Sequence, residues 1–312
     1  MARTLNIGGA QLGPINKSDT KKSVVLRMME LLKQAKSRNC KFVVFPELCL
    51  TTFFPRWFFE QISEIEKFFE SEMPNKEVKP LFDLAQKLDM AFSFGFAEQT
   101  KIGDEKKRFN SSIIVDSAGD IKLKYRKIHL PGHSEYDPSR SFQHLEKRYF
   151  DIGDLGFPVA NIMDINMGMC ICNDRRWPET YRVMGLQDVE LIMLGYNTPL
   201  QNPPAPEHDH LTSFHNLLSM QSGAYQNATW VIGVAKAGIE EGVHHLGQSC
   251  IISPSGEIVS MASSLEDELI SANCDMDLCV SYKETWFNFA KHRQPQHYNL
   301  ITERIGAISP KK

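Results

Sequence analysis

Met169-Cys170-Ile171-Cys172-Asn173-Asp174-Arg175-Arg176-Trp177-Pro178-Glu179-Thr180 is the stretch on which the reading of this 312-residue chain turns. An apolar run ends in a thiol, two adjacent arginines follow, and Pro178 stands where a helix takes its first turn. Strand, polar loop and helix in that order form the repeating unit of α/β folds, which place ligands at the carboxyl ends of strands. A cysteine between a strand and a helix N-terminus sits where amide dipoles favour a thiolate. The arginines add positive charge and can grip a carboxylate in fork geometry. One segment thus offers a nucleophile and an anchor for an anionic substrate.

Outward from this segment, strand-like and helix-like stretches alternate. Residues 167–172 and 190–197 read as strands around a helix at 178–187. On the N-terminal side, residues 4–12 read as a strand and 19–38 as an amphipathic helix, with Val24, Val25, Met28, Leu31, Leu32 and Ala35 near helical spacing. Lys41–Pro46 is a short apolar run, as expected of a buried strand. A helix follows at 77–89, a strand at 91–98, and a hairpin over 109–127 that turns at Asp116–Asp120. On the C-terminal side a long helix covers 210–227 and a strand 229–235. A second hairpin pairs 248–253 with 257–262, and a last strand spans 268–275. The longest irregular regions, 129–157 and 198–209, are rich in Pro, Gly, Asp or His, and loops of that length are often functional. No linker, charge block or internal repeat divides the chain, which reads as a single mixed α/β domain over 1–312.

Composition narrows the function classes. The chain is 42% hydrophobic and 23% charged, enough for a sizeable core, and its net charge of −3 gives no electrostatic case for nucleic acid. No apolar stretch approaches the roughly 18 residues of a membrane helix, and the N-terminal run is too polar for an export core. Seven cysteines, an odd number without framework spacing, read as reduced thiols in a cytoplasmic protein.

Two further segments carry chemistry. In Phe45-Pro46-Glu47-Leu48 a carboxylate follows a buried strand. In Tyr125-Arg126-Lys127-Ile128-His129-Leu130-Pro131 a lysine ends a hairpin strand. Singly, these are a loop acid, an edge charge and a small core thiol. Together, Glu47, Lys127 and Cys172 resemble in order and context the triad of the nitrilase superfamily. The likeness is nearer still to one branch, the N-carbamoyl-D-amino acid amidohydrolases (D-carbamoylases). It is carried by Thr51–Trp57, Tyr125–His133, Phe142–Phe150, Cys172–Thr180, Gly195–Pro199, His208–His215 and His292–Tyr298. The match runs from residue 4 to about 304, and Arg304–Lys312 carries no recognised motif.

The resemblance implies a four-layer α-β-β-α sandwich and hydrolysis of N-carbamoyl-D-amino acids without metal or organic cofactor. Cys172 would attack the ureido carbon, Glu47 would move the proton, and Lys127 would hold the oxyanion. Glu146 would support Lys127. Arg175 and Arg176 would grip the α-carboxylate, and Asn173, His144, Asn197 and Thr198 would surround the substrate. It also implies a homodimer or homotetramer, with a C-terminal arm from about residue 277, bearing Trp286, Phe287, Phe289 and Tyr298, reaching a neighbour.

Rival readings stay open. β-Ureidopropionases, aliphatic amidases and nitrilases share the triad, although the arginine pair argues for a carboxylated substrate. A non-catalytic binding relative would be expected to lack a triad member. Cys170 reads as strand packing, since only Cys172 abuts the arginine run. His208-Asp209-His210 with His215 lacks zinc-like spacing and reads as having a substrate-loop and interface role. The aromatic residues Phe53, Phe54 and Trp57–Phe59 read as pocket wall or core.

Overall fold

The computed structural model describes residues 3–310; Met1 and Ala2 of the N-terminal run and Lys311 and Lys312 of the arm lie outside the described residues. The chain opens with β1 (Thr4–Gln11), α1 (Lys21–Ser37), β2 (Phe42–Val44), β3 (Phe69–Glu70), α2 (Lys79–Lys87), β4 (Ala91–Ile102), β5 (Glu105–Val115) and β6 (Ile121–Arg126). The strands β1, β2 and β4 run parallel, and β5 and β6 extend the sheet antiparallel. After the short α3 (Glu146–Tyr149) come β7 (Val159–Ile162), β8 (Ile165–Ile171), α4 (Pro178–Gly185), β9 (Leu191–Tyr196), α5 (Thr212–Asn227) and β10 (Trp230–Ala235). A ribbon of β11 (Ala237–Glu240) and β12 (Val243–Leu246) leads to β13 (Cys250–Ile252) and β14 (Ile258–Met261), which close the second sheet. Finally β15 (Glu268–Asp275) returns to the first sheet, antiparallel to β1, before α6 (Asp277–Glu284), α7 (Phe289–His292) and α8 (Asn299–Glu303).

Strand alternation builds the layers. In β2, Phe42 and Val44 face the second sheet and pack with Met167, Met169, Leu191 and Ile232. Their neighbours Val43 and Phe45 face the opposite way, onto Val24, Val25, Met28 and Leu32 of α1 and Leu81 of α2. Each such fully buried side chain contributes about 1.5–3 kcal/mol. The α1 helix starts where Thr20 accepts the Ser23 amide at 3.1 Å, a cap that contributes about 1 kcal/mol. On the far side Tyr181 and Met184 of α4 and Met220 and Ala224 of α5 cover the second sheet. The result is the α-β-β-α sandwich.

The halves share one plan that the sequence does not display as a repeat. Three parallel strands (β1-β2-β4; β8-β9-β10) continue into an antiparallel hairpin (β5-β6; β13-β14), with one antiparallel strand on the other edge (β15; β7). Several elements depart from the sequence reading, among them α3, which lies in the stretch 129–157 read as irregular, and β7, which the sequence reading does not mark as a strand. The hairpin expected to begin at 109 begins at Glu105, because the exposed tip Glu105-Lys106-Lys107-Arg108 pairs with β4 without any apolar pattern. The ribbon β11–β12 lies in a stretch to which the sequence reading assigns no element. Phe53 and Phe54 belong to a third core cluster, with Leu48, Ile65, Leu145, Tyr149 and Phe150. Among the described residues, no helix is long and apolar enough to cross a membrane.

Candidate active site

Four site residues follow strand ends that converge between the sheets: Glu47 after β2, Lys127 after β6, Cys172 after β8 and Asn197 after β9. Glu146 joins them from the first residue of α3. Glu47, Lys127 and Glu146 have no accessible surface, and only Cys172, at 5%, retains any. Lys127 Nζ donates to Glu47 Oε1 at 2.8 Å and to Glu146 Oε2 at 2.6 Å. Burial works against its charge, but Glu146 and Glu47 prevail and hold the ammonium above the ordinary lysine range. The two carboxylates divide. Burial, only partly offset by Lys127, raises Glu47 and suits it to accept and release a proton. In Glu146 burial is overcome by Lys127 and His144, which hold it down to about 2.

His144 explains that asymmetry. Its Nδ1 lies 3.0 Å from Arg56 Nη1, which can only donate, so its Nε2 carries the proton toward Glu146 Oε1 at 3.1 Å. Burial, then the Arg56 charge, lowers the imidazole from 6.5 to about 4, so it is neutral near pH 7. Asn110 donates to Glu47 Oε1 at 2.8 Å, and Asn197 donates to the Glu47 carbonyl at 2.9 Å and to Oε2 at 3.2 Å. The base is therefore gripped from both sheets. The sheets also close on it bodily. A Cβ at Gly195 would lie 2.4 Å from the Glu47 nitrogen, and one at Gly95 would lie 2.8 Å from the Glu47 Cα.

Cys172 heads a short 3₁₀ turn, Cys172–Arg176, at φ 49°. A left-handed non-glycine residue costs about 1–3 kcal/mol and persists only where its surroundings dictate it. Asp174 supplies that constraint: it accepts from the Ile171 amide at 3.0 Å, the Tyr125 hydroxyl at 2.7 Å, and the His129 amide and Nδ1 at 3.0 and 2.8 Å. The expected helix effect takes a different form, because α4 begins only at Pro178. Burial and then Glu47 push the Cys172 thiol up, with Lys127 and Arg175 opposing. This setting does not favour a standing thiolate.

The structure separates the two arginines. Arg175 turns inward: Nη1 donates to the Cys172 carbonyl at 2.6 Å, and Nη2 donates to Thr198 Oγ1 at 2.7 Å and Asn216 Oδ1 at 2.8 Å. Arg176 stays exposed at the rim, where its one hydrogen bond is a long 3.5 Å contact to Asn173 Oδ1. Asn173 also donates to the His129 carbonyl at 3.0 Å, which ties it to the loop beside the nucleophile. Sequence patterns assign no role to Arg56, Asp174 or Asn110. Asn110 had a signal, a poor strand former in the middle of a buried strand.

Beside the buried cluster opens a cleft of about 900 Å³ between the loops at 131–142 and 198–212. His144, Arg175 and Thr198 form the part of its wall that touches the buried cluster. Its basic side chains are Arg140, Arg175, Arg176, His144, His208 and His215, and no Asp or Glu lines it. Pro131, Phe142, Pro199, Pro203 and Leu211 supply apolar wall. Among the described residues, no group of three or more His, Cys, Asp or Glu is arranged to hold a metal ion. A thiol, a proton-accepting carboxylate and a fixed ammonium at the foot of a cationic cleft are the equipment of acyl transfer.

Comparison with known proteins agrees with this geometry. A family model described as carbon-nitrogen hydrolase matches residues 6–284. A nitrilase of Pyrococcus abyssi is 30% identical over 270 residues, covering 86% of this chain and 90% of its own length. An N-carbamoylputrescine amidase of Arabidopsis thaliana is 26% identical over 303 residues, covering 93% and 94%. Among solved structures, a carbon-nitrogen hydrolase from Helicobacter pylori G27 has the same layered fold, with a TM-score of 0.82 over 97% of this chain and 99% of that one at 22% identity.

Proposed function

The chain belongs to the carbon-nitrogen hydrolase family, and on that premise we propose that it hydrolyses N-carbamoyl-D-amino acids to the free D-amino acid, ammonia and carbon dioxide. The observation that carries the substrate class is the cleft lining: Arg175 and Arg176, with Arg140 paired to Asp137 at 2.7 Å, and not one acidic side chain. Such a lining favours an anion and offers nothing to the ammonium of N-carbamoylputrescine, for which the Arabidopsis relative is named. Arg176, with free donors at the rim, is the residue we assign to the α-carboxylate, and Arg175 the one that braces the turn carrying Cys172. The D configuration follows from the likeness of segments 51–57, 125–133, 142–150 and 172–180 to the D-carbamoylases.

In this reading Cys172 attacks the ureido carbon as its proton passes to Glu47. Lys127, already charged, faces the developing oxyanion. Glu47 returns the proton to the departing nitrogen, ammonia leaves, and a carbamoyl thioester remains. Glu47 then takes a proton from water, which attacks the thioester, and returns it to the Cys172 sulfur as the C–S bond breaks. The released carbamic acid falls to carbon dioxide and the amino acid. Glu146, His144 and Arg56 hold Lys127 in place and charged. Seven free, buried thiols support a reducing compartment such as the cytoplasm. Exposed Val183, Leu186, Phe214, Leu218 and Trp286 support burial against a second copy, as a homodimer or homotetramer.

A second reading, a different ureido or amide substrate, is favoured by the identity to the N-carbamoylputrescine amidases. Ammonia release from the N-carbamoyl derivatives of D- and L-phenylalanine, D- and L-valine and putrescine, with chiral analysis of products, separates the two. The expected outcome is turnover of the D forms, abolished in Cys172→Ala with the fold intact. Turnover of N-carbamoylputrescine or of L forms alone would overturn the assignment.

A further inference from the structure

Beneath the site lies a second buried ion pair that the chemistry above does not use. Lys236, directly after β10, and Glu240, at the end of β11, have side chains no more than 1% exposed. Lys236 Nζ donates to Glu240 Oε2 at 2.7 Å, to Oε1 at 3.1 Å and to the Thr51 carbonyl at 3.1 Å. Glu240 in turn accepts from the Phe53 amide at 2.6 Å, the Thr52 hydroxyl at 3.3 Å and the Ile15 amide at 3.0 Å. All four of these outside partners belong to the half of the chain built on the first sheet. Three of them sit in the segment running on from Glu47. A buried pair of this kind is weak grounds for stability, because desolvation offsets the attraction. Charge-assisted hydrogen bonds to a backbone do fix where that backbone stands.

The segment so held is a platform for the rest of the site. The carbonyls of Pro55 and Arg56 accept the amides of Leu145 and Gln143. The Phe53 ring lies 4.6 Å from the Arg56 guanidinium and edge-on to His144 at 5.9 Å. From Arg56 the contacts run through His144 and Glu146 to Lys127. We propose that Lys236 and Glu240 are positioning residues: through them the second sheet holds Thr51–Phe53, and so sets where Glu47 and Glu146 stand relative to Cys172 and Lys127. This rests on Cys172 as nucleophile and not on which amide or ureido compound it attacks.

Two variants test it, Glu240→Gln and the paired Lys236→Met/Glu240→Leu, which removes both charges at similar volume. Two quantities are read on protein whose circular dichroism matches the wild type. One is the split of kcat from KM in ammonia release. The other is the rate at which iodoacetamide alkylates Cys172, which needs no substrate. Displacement of the base by a fraction of an ångström is expected to lower kcat and alkylation about tenfold in Glu240→Gln and about 100-fold in the paired variant, with KM within about twofold. Wild-type kcat and alkylation rate in the folded paired variant, whatever its melting midpoint, would overturn the proposal. If that variant does not fold, Glu240→Gln decides by the same two numbers, since it keeps an oxygen for the Phe53 amide and the same volume. A wild-type Cys172 that does not react would instead sink the nucleophile reading, so the two failures are distinguishable.

Discussion

Lowering the pH should unfasten this protein through His144. The folded chain holds this imidazole neutral down to about 4, against 6.5 for an ordinary histidine, by burying it beside Arg56. Between those two values the unfolded chain binds a proton that the folded chain refuses, so stability falls as pH falls. Each pH unit costs about 1.4 kcal/mol in that window, or about 3 kcal/mol in all from this one residue. His245 pushes the same way, its imidazole lowered by burial and then by Arg56. Glu47, raised in the fold, pushes the other way, since its folded form binds a proton more readily. A difference measurement isolates His144. Guanidinium unfolding of the wild type and of His144→Gln is followed at intervals from pH 7.5 to 4.5. Glutamine keeps an acceptor for Arg56 and a donor for Glu146 but does not titrate. The wild type should lose stability relative to the variant by about 1.4 kcal/mol per pH unit below 6.5. Parallel curves for the two proteins would show that the imidazole titrates alike in the folded and unfolded chains, and the reasoning would fail.

Two substitutions probe other parts of the site. Arg176→Ala should raise KM for N-carbamoyl amino acids about 10- to 100-fold, the loss of a charge-assisted hydrogen bond of about 1.5–3 kcal/mol, and leave a neutral ureido compound such as butylurea unaffected. An equal loss on both compounds in steady-state assays would remove the carboxylate role. Gly195→Ala puts a methyl 2.4 Å from the Glu47 nitrogen and 2.8 Å from the Pro46 carbonyl carbon, both rigid backbone. The base must then move by about 1 Å, and kcat at saturation should fall on the order of 100-fold; unchanged kcat would mean that the position of Glu47 is not critical.

The sequence announces those parts of the site that interrupt an apolar pattern. Glu47 and Cys172 each end a run of buried strand residues and Lys127 ends a hairpin strand, and such breaks are visible without neighbours. The apolar face of α1, from Val24 to Ala35, is equally plain and is the face that is buried. The remainder depends on partners far along the chain. Arg175 and Arg176 are indistinguishable as letters; Thr198 and Asn216, 23 and 41 residues away from Arg175, decide which turns inward. Arg56 reaches His144 across 88 residues, and Glu240 reaches Phe53 across 187. Adjacent residues can be ranked by propensity, but such pairings exist only once the sheets have stacked. The thiol shows the same limit: its helix-terminus setting suggested easy ionisation, and burial beside Glu47 reverses that tendency.

The division of the site between sheets has a consequence for how the enzyme comes into being. The proton acceptor and the ammonium sit on the first sheet, the nucleophile on the second, and β1, made first, stays an open edge until β15 pairs with it from Thr4↔Asp275 to Gln11↔Glu268. Glu47, Lys127 and Glu146 all precede Cys172 in the chain, so the thiol is made after them and meets them only when the second sheet stacks on the first. The site is therefore a product of the stacking of two sheets, and neither sheet carries it alone.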